Sequence, residues 1–223
     1  MPTLDPASLQ RFQEEEALFK LLGTAIYGAP DRACFSAIVE NDLFTEVPFV
    51  DPTACAAARE QLMLWAASCG RPMSEEAFEQ VRVDYARLFV GAQRVAAPLW
   101  ESVYFNRERT VFEKQTMEVR AAYREFGVEV DRYGHEPDDH LAYELMFVAR
   151  LANEAAQCAQ SFEHAVEAQN TFLKRHLLMW VGAWRDLVVQ KAPEGSFYRG
   201  FAELVVLACE EAERFTRGFA RGE

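Results

Sequence analysis

Glu136, Asp138, Asp139, His140 and Glu144 form the densest run of potential acids, bases and metal ligands in the chain. Carboxylates and an imidazole at this spacing could hold a divalent cation, exchange protons, or grip a guanidinium. His140 and Glu144 stand at i, i+4 and would share a helix face. A helical metal site draws further ligands from facing helices, often as Glu-x-x-His. None of His135, His140, His164 and His176 has Glu three residues before it. A metal-dependent hydrolase built on Glu136, Asp138, Asp139, His140 and Glu144 is therefore the alternative reading, resting on density alone. A plainer role also exists: an Asp at a helix start caps free backbone N–H groups and complements the helix dipole. On that reading Asp138 or Asp139 caps the helix after Pro137, and the other Asp and His140 stay free for recognition.

A second constellation is Pro98, Leu99, Trp100, Glu101 and Tyr104, a period-breaking stretch rich in large side chains. A loop Trp beside a proline either plugs the core or anchors a bound peptide. His176, Trp180 and Trp184 share a helical stripe suited to burial. The chain contains no G-x-S-x-G, no phosphate loop and no G-x-G-x-x-G.

These residues must be positioned by helices. Apolar residues recur at three- and four-residue steps nearly throughout, and no strand-like alternation is long enough to found a sheet. The spacing predicts helices over Gln10 to Tyr27, from an Asp31 cap to about Phe44, and from Asp51-Pro52 to near Gly70. Further helices are predicted from Ser74 to just before Gly91, over Thr110 to Phe126 behind an Asn106 cap and stopped by Gly127, and from Asp138 or Asp139 through Ala155. Two more follow over Thr171 to Val189 and from Ser196 to about Phe219. The expectation is an all-α bundle of about eight to ten helices in two closely packed halves, residues 1–130 and 141–223, joined by 131–140 with Gly134 and Pro137.

Composition narrows the function. Of 223 residues 50% are apolar, so the chain can bury a core. A formal net charge of -12 disfavours nucleic acid as a partner and suits a basic one. Cys34, Cys55, Cys69, Cys158 and Cys209 are widely spaced with no C-x-x-C, which suggests neither a disulfide framework nor a zinc site. The N-terminus lacks a basic start followed by an apolar run, and no stretch is long and charge-free enough to span a bilayer. A cytoplasmic protein without stable membrane insertion or cofactor is expected.

Asp84-Tyr85-Ala86-Arg87-Leu88-Phe89-Val90-Gly91 followed by Ala97-Pro98-Leu99-Trp100-Glu101-Ser102-Val103-Tyr104 resembles the D-Y-x-R-L-F-x-G…P-x-x-E-S-V-Y pattern of the TorD/DmsD/NarJ family of redox enzyme maturation chaperones. Glu136-Pro137-Asp138-Asp139-His140-Leu141 is similar to that family's E-P-D-H-L joint, with one extra acidic residue. Phe172-Leu173-Lys174-Arg175-His176-Leu177 with Trp180, and Phe197-Tyr198-Arg199, look like its F-L-x-x-H-L…W and F-Y-x-x-L-A segments. The ordered set runs from Asp84 to Leu204; the first eighty or so residues match only in being helical, and Leu99 stands where the family usually has a second Pro.

The resemblance implies a non-catalytic cytoplasmic chaperone for the apo form of a molybdenum-cofactor oxidoreductase. Such a chaperone often binds the client's twin-arginine signal peptide and delays export by the Tat route until the cofactor is inserted. It assigns Glu136, Asp138, Asp139 and His140 to the polar part of the peptide site, and Pro98, Trp100, Glu101 and Tyr104 to the part carrying the apolar contacts. Weak GTP binding, proposed for some relatives, is a further implied partner without a phosphate loop to support it. Arg favours planar carboxylates, so an acidic surface beside an apolar one is compatible with a twin-arginine peptide.

Overall fold

The computed structural model describes residues 4–91, 95–106, 108, 110–130 and 136–220. Gly134 of the expected joint and His135 lie outside them. The described residues form nine α-helices and one 3-10 turn, with no strand longer than an isolated bridge. In order these are α1 (Pro6–Ile26), α2 (Arg32–Glu40), α3 (Ala56–Ser68), α4 (Glu75–Phe89), the 3-10 turn (Glu101–Tyr104), α5 (Lys114–Glu125), α6 (Leu141–Gln157), α7 (Phe162–Arg175), α8 (Leu177–Lys191) and α9 (Phe197–Ala220). The all-α expectation is met.

Local chemistry explains most boundaries. Asp31 caps α2 by accepting from Cys34 N, and Ser74 caps α4 by accepting from Ala77 N. Gly127 (φ 65°) supplies the left-handed residue after α5. Elsewhere the same side-chain chemistry serves turns. Asp51 accepts from Thr53 N and Ala54 N, and α3 begins only at Ala56. Asn106 accepts from Thr110 N and donates to Ser102 O, closing a loop, and α5 begins at Lys114. The helix expected to reach Phe44 ends at Glu40, where Asn41 Nδ2 donates to Ala37 O. The single helix expected over Thr171 to Val189 is two helices, α7 and α8, divided at His176 (φ -119°, ψ -95°).

α1 lies along α6, while α3, α7 and α8 pack against α9. Two glycines permit the closest approaches. A Cβ at Gly23 would stand 2.8 Å from Met146 Cγ, and one at Gly200 would stand 2.9 Å from Leu62 Cγ and 3.0 Å from Ala58 O. The main core runs continuously from α1 to α9 and so includes residues on both sides of 131–140. Within it Phe35 meets Trp65 and Phe197 edge-to-face, and Trp180 and Trp184 of α8 are fully enclosed.

Candidate functional site

The stretches 98–104 and 136–141, which carry most of the sequence signal, meet in space. Glu101 N donates to Asp139 O at 3.0 Å and Leu141 N donates to Leu99 O at 2.8 Å. Trp100 and His140 thereby form an antiparallel bridge that ties the lead-in of the 3-10 turn to the lead-in of α6. Buried backbone groups need partners, and in an all-helical protein this pairing satisfies two irregular segments at once.

The polar side chains reinforce the pairing. Asp139 is fully buried; its Oδ2 accepts from Ser102 N at 2.7 Å and its Oδ1 from Thr116 Oγ1 at 2.6 Å. Asp138 is buried against Arg120, whose Nη2 and Nε donate to its Oδ2 at 2.6 and 3.1 Å. Tyr123 Oη donates to Asp138 O at 3.1 Å. His140 is 5% exposed, and its Nδ1 accepts from Ala142 N at 3.1 Å.

This corrects two expectations. Neither aspartate caps α6; His140 does, with an acceptor nitrogen in the place usually filled by an Asp or Ser oxygen. Nor do an Asp and His140 remain free, because all three side chains are buried and bonded to protein.

Behind this layer Glu101 Oε2 lies 2.9 Å from His176 Nδ1, both nearly sealed from solvent. The contact engages the residue at which α7 gives way to α8. Glu144 is fully buried and accepts from Trp180 Nε1 at 3.2 Å. Burial, then the nearby Glu101 and Asp139 carboxyls, push its pKa well above the usual value. Burial likewise raises the phenol of Tyr123 well above its ordinary range.

The carboxylates and imidazole of the run thus face different partners: Trp100 for Glu136, Arg120 for Asp138, Thr116 and Ser102 for Asp139, the α6 backbone for His140, and Trp180 for Glu144. Among the described residues no group of three or more His, Cys, Asp or Glu is placed to hold a metal ion.

The edge of the pairing reaches solvent. Trp100 and Glu136 are half-buried, with Trp100 Nε1 donating to Glu136 Oε1 at 2.7 Å. Pro98 is buried, and its carbonyl accepts from Tyr104 Oη at 2.8 Å. Tyr104 is half-buried; its ring lies 5.1 Å from that of Trp180, and it borders a cavity of about 660 Å³ with Leu187, Asp186 and Gln190 of α8. Phe105 and Met179, the chain neighbours of Tyr104 and Trp180, are 43% and 58% exposed. Sequence reasoning missed Thr116, Arg120 and Tyr123. They stand at steps of four and three on the buried side of α5, and a polar, cationic face among apolar neighbours was the available signal.

Fold and site together define an all-α protein whose polar motif residues brace two irregular segments. The chain belongs to the nitrate reductase delta subunit family, whose model matches residues 51–186. It is 29% identical over 134 residues to the chaperone protein TorD of Vibrio parahaemolyticus, covering 59% of this chain and 61% of that one. It is 32% identical over 118 residues to TorD of Vibrio cholerae, covering 52% of this chain and 53% of that one. The matches thus span a little over half the length of these two relatives. Similarity to the Tat proofreading chaperone DmsD of Salmonella typhi is 26% over 194 residues, 84% of this chain and 83% of that one. A solved redox enzyme maturation protein from Archaeoglobus fulgidus aligns over 92% of this chain and 94% of its own, with a TM-score of 0.49 and 18% identity. Among the described residues no helix is long and apolar enough to cross a membrane.

Proposed function

We propose that this protein is a non-catalytic cytoplasmic chaperone that binds the apo form and twin-arginine signal peptide of a molybdenum-cofactor oxidoreductase, assists cofactor insertion and delays Tat export. The observation that carries the reading is the brace between 98–104 and 136–141, which presents a fixed edge of aromatic and acidic side chains. On this reading the eight residues divide their labour. Pro98, Glu101, Asp138, Asp139 and His140 hold the two segments in register from inside. Trp100, Tyr104 and Glu136 make contact with the peptide, whose apolar run seats beside Tyr104 against α8 and whose guanidinium meets the Glu136 carboxylate.

Isothermal titration with signal peptides of molybdenum-cofactor oxidoreductases encoded in the same genome, alongside their Lys-Lys variants, tests it. One of the Arg-Arg peptides binds, its Lys-Lys variant binds more weakly because Lys cannot make the bidentate contact, and Glu136→Gln, which keeps an oxygen to accept from Trp100 Nε1, weakens binding with little change in melting temperature. Failure of every candidate, as peptide and as full apoenzyme, would overturn the reading.

A further inference from the structure

On the other side of His176 lies a groove of about 570 Å³ between α5 and α7, sharing no lining residue with the cavity beside Tyr104. Its floor is aromatic, formed by Phe126, Phe147 and Phe172, and small residues stand along its walls, Ala121 and Ala122 on α5 and Ala168 on α7. Short walls let another backbone come close enough to touch the floor. The volume falls within the roughly 300–1,000 Å³ usual for bound ligands.

The ends of the groove differ in charge. α5 and α7 run in opposite directions here, since Glu125 at the end of α5 meets His164 near the start of α7 at 3.3 Å and Phe126 stacks on His164 at 4.9 Å. Glu125 and Glu167 therefore mark one end. Arg175, eight positions further along α7 and about 12 Å away by helix rise, marks the other. Glu118 also borders the groove toward that end and is paired with Lys114 at 3.2 Å, as Glu125 is with His164, so Glu167 and Arg175 carry the charge difference between the ends. Glu167 and Arg175 are exposed and form no ion pair among the described residues.

We infer that this groove is a second docking site, for an apolar helical segment with basic residues at its N-terminal end and acidic residues at its C-terminal end. The floor takes the apolar face, as in helix-in-groove recognition. Glu125 and Glu167 meet both the basic side chains and the positive end of the helix dipole, and Arg175 meets the acidic end and the negative one. The inference does not depend on the signal-peptide reading, although His176, which lines the groove and touches Glu101, physically joins the two surfaces.

The test uses two fluorescein-labelled amphipathic peptides of identical composition, one with a Lys pair first and a Glu pair last, the other reversed. Equal composition cancels non-specific attraction to a protein of net charge -12. Wild type should bind the Lys-first peptide about tenfold more tightly, the scale of a few solvent-exposed ion pairs gained or reversed. The triple variant Glu125→Lys/Glu167→Lys/Arg175→Glu should reverse the preference. Ala121→Trp, which fills the groove from an exposed position, should abolish binding of both peptides at unchanged melting temperature and leave twin-arginine peptide binding intact. Equal or absent binding of the two peptides overturns the inference. So does a preference that survives the triple variant or Ala121→Trp, or loss of the twin-arginine peptide in Ala121→Trp, which would make the two sites one.

Discussion

Replacing Asp139 by Ala should unfold the protein more than it disarms it. The carboxylate is fully buried and accepts two hydrogen bonds, from Ser102 N and Thr116 Oγ1. Bonds to a charged group contribute about 1.5–3 kcal/mol each, and the substitution also strands the Ser102 N–H in the interior. Removing a negative charge from the neighbourhood of Glu144 offsets part of this loss. A net cost of about 3–4 kcal/mol follows, or a melting temperature lower by about 10 °C at roughly 2–4 °C per kcal/mol for a chain of this size. Thr116→Val removes one of the two bonds and should cost about 1.5 kcal/mol. In the Asp139→Ala background Thr116→Val should cost far less, because their interaction is already gone. Urea unfolding followed by circular dichroism reads all four corners of this cycle. The reasoning is refuted if Asp139→Ala lowers the unfolding free energy by less than about 1 kcal/mol while signal-peptide affinity falls tenfold. That outcome would make Asp139 a contact rather than a brace.

Glu144→Gln should stabilise the protein at neutral pH and above. The folded-state pKa is raised from 4.5, so above 4.5 the unfolded chain releases a proton that the folded chain keeps, and wild-type stability falls as pH rises toward the folded pKa. Gln lacks that penalty, so the gap between variant and wild type, absent below 4.5, should widen by up to about 1.4 kcal/mol per pH unit in a pH series of melting curves. Gly200→Ala should destabilise by about 1–3 kcal/mol in urea unfolding, because its Cβ meets the Ala58 carbonyl at 3.0 Å and overpacks the contact between α3 and α9. Gly182→Ala, in the interior of α8 with nothing within 4 Å of the new Cβ, should instead stabilise by about 0.5–1 kcal/mol through helix propensity.

The helices were legible in the sequence because their apolar period and many of their caps are local. Asp31 and Ser74 each act within three residues of themselves. Two of the errors share one cause, which is that a cap and a turn use the same side-chain oxygen. Asp51 and Asn106 hold turns, and only the backbone that follows tells the two cases apart. The break at His176 left no local trace. Its ring is held by Glu101, 75 positions earlier, and apolar spacing continues undisturbed across one non-helical residue. Likewise Asp138 and Asp139 were legible as important acids but not as buried ones, since Arg120 and Thr116 lie about twenty residues away on a different helix.

The acids and the histidine of 136–141 are read most naturally as chemistry offered to a ligand, because unpaired charge is costly to bury. Here the cost is met internally: Asp138 by a guanidinium, Asp139 by an amide and a hydroxyl, His140 by its own helix. On the proposed reading Asp138, Asp139 and His140 hold the shape of an edge rather than supply its contacts. Discrimination between clients, on the proposed reading, falls to side chains at the edge that no motif names, such as Asp186 and Gln190 around the Tyr104 cavity. A brace that is rigid whatever the client, bordered by positions free to vary without loss of stability, is what a set of chaperones serving different enzymes from one fold requires.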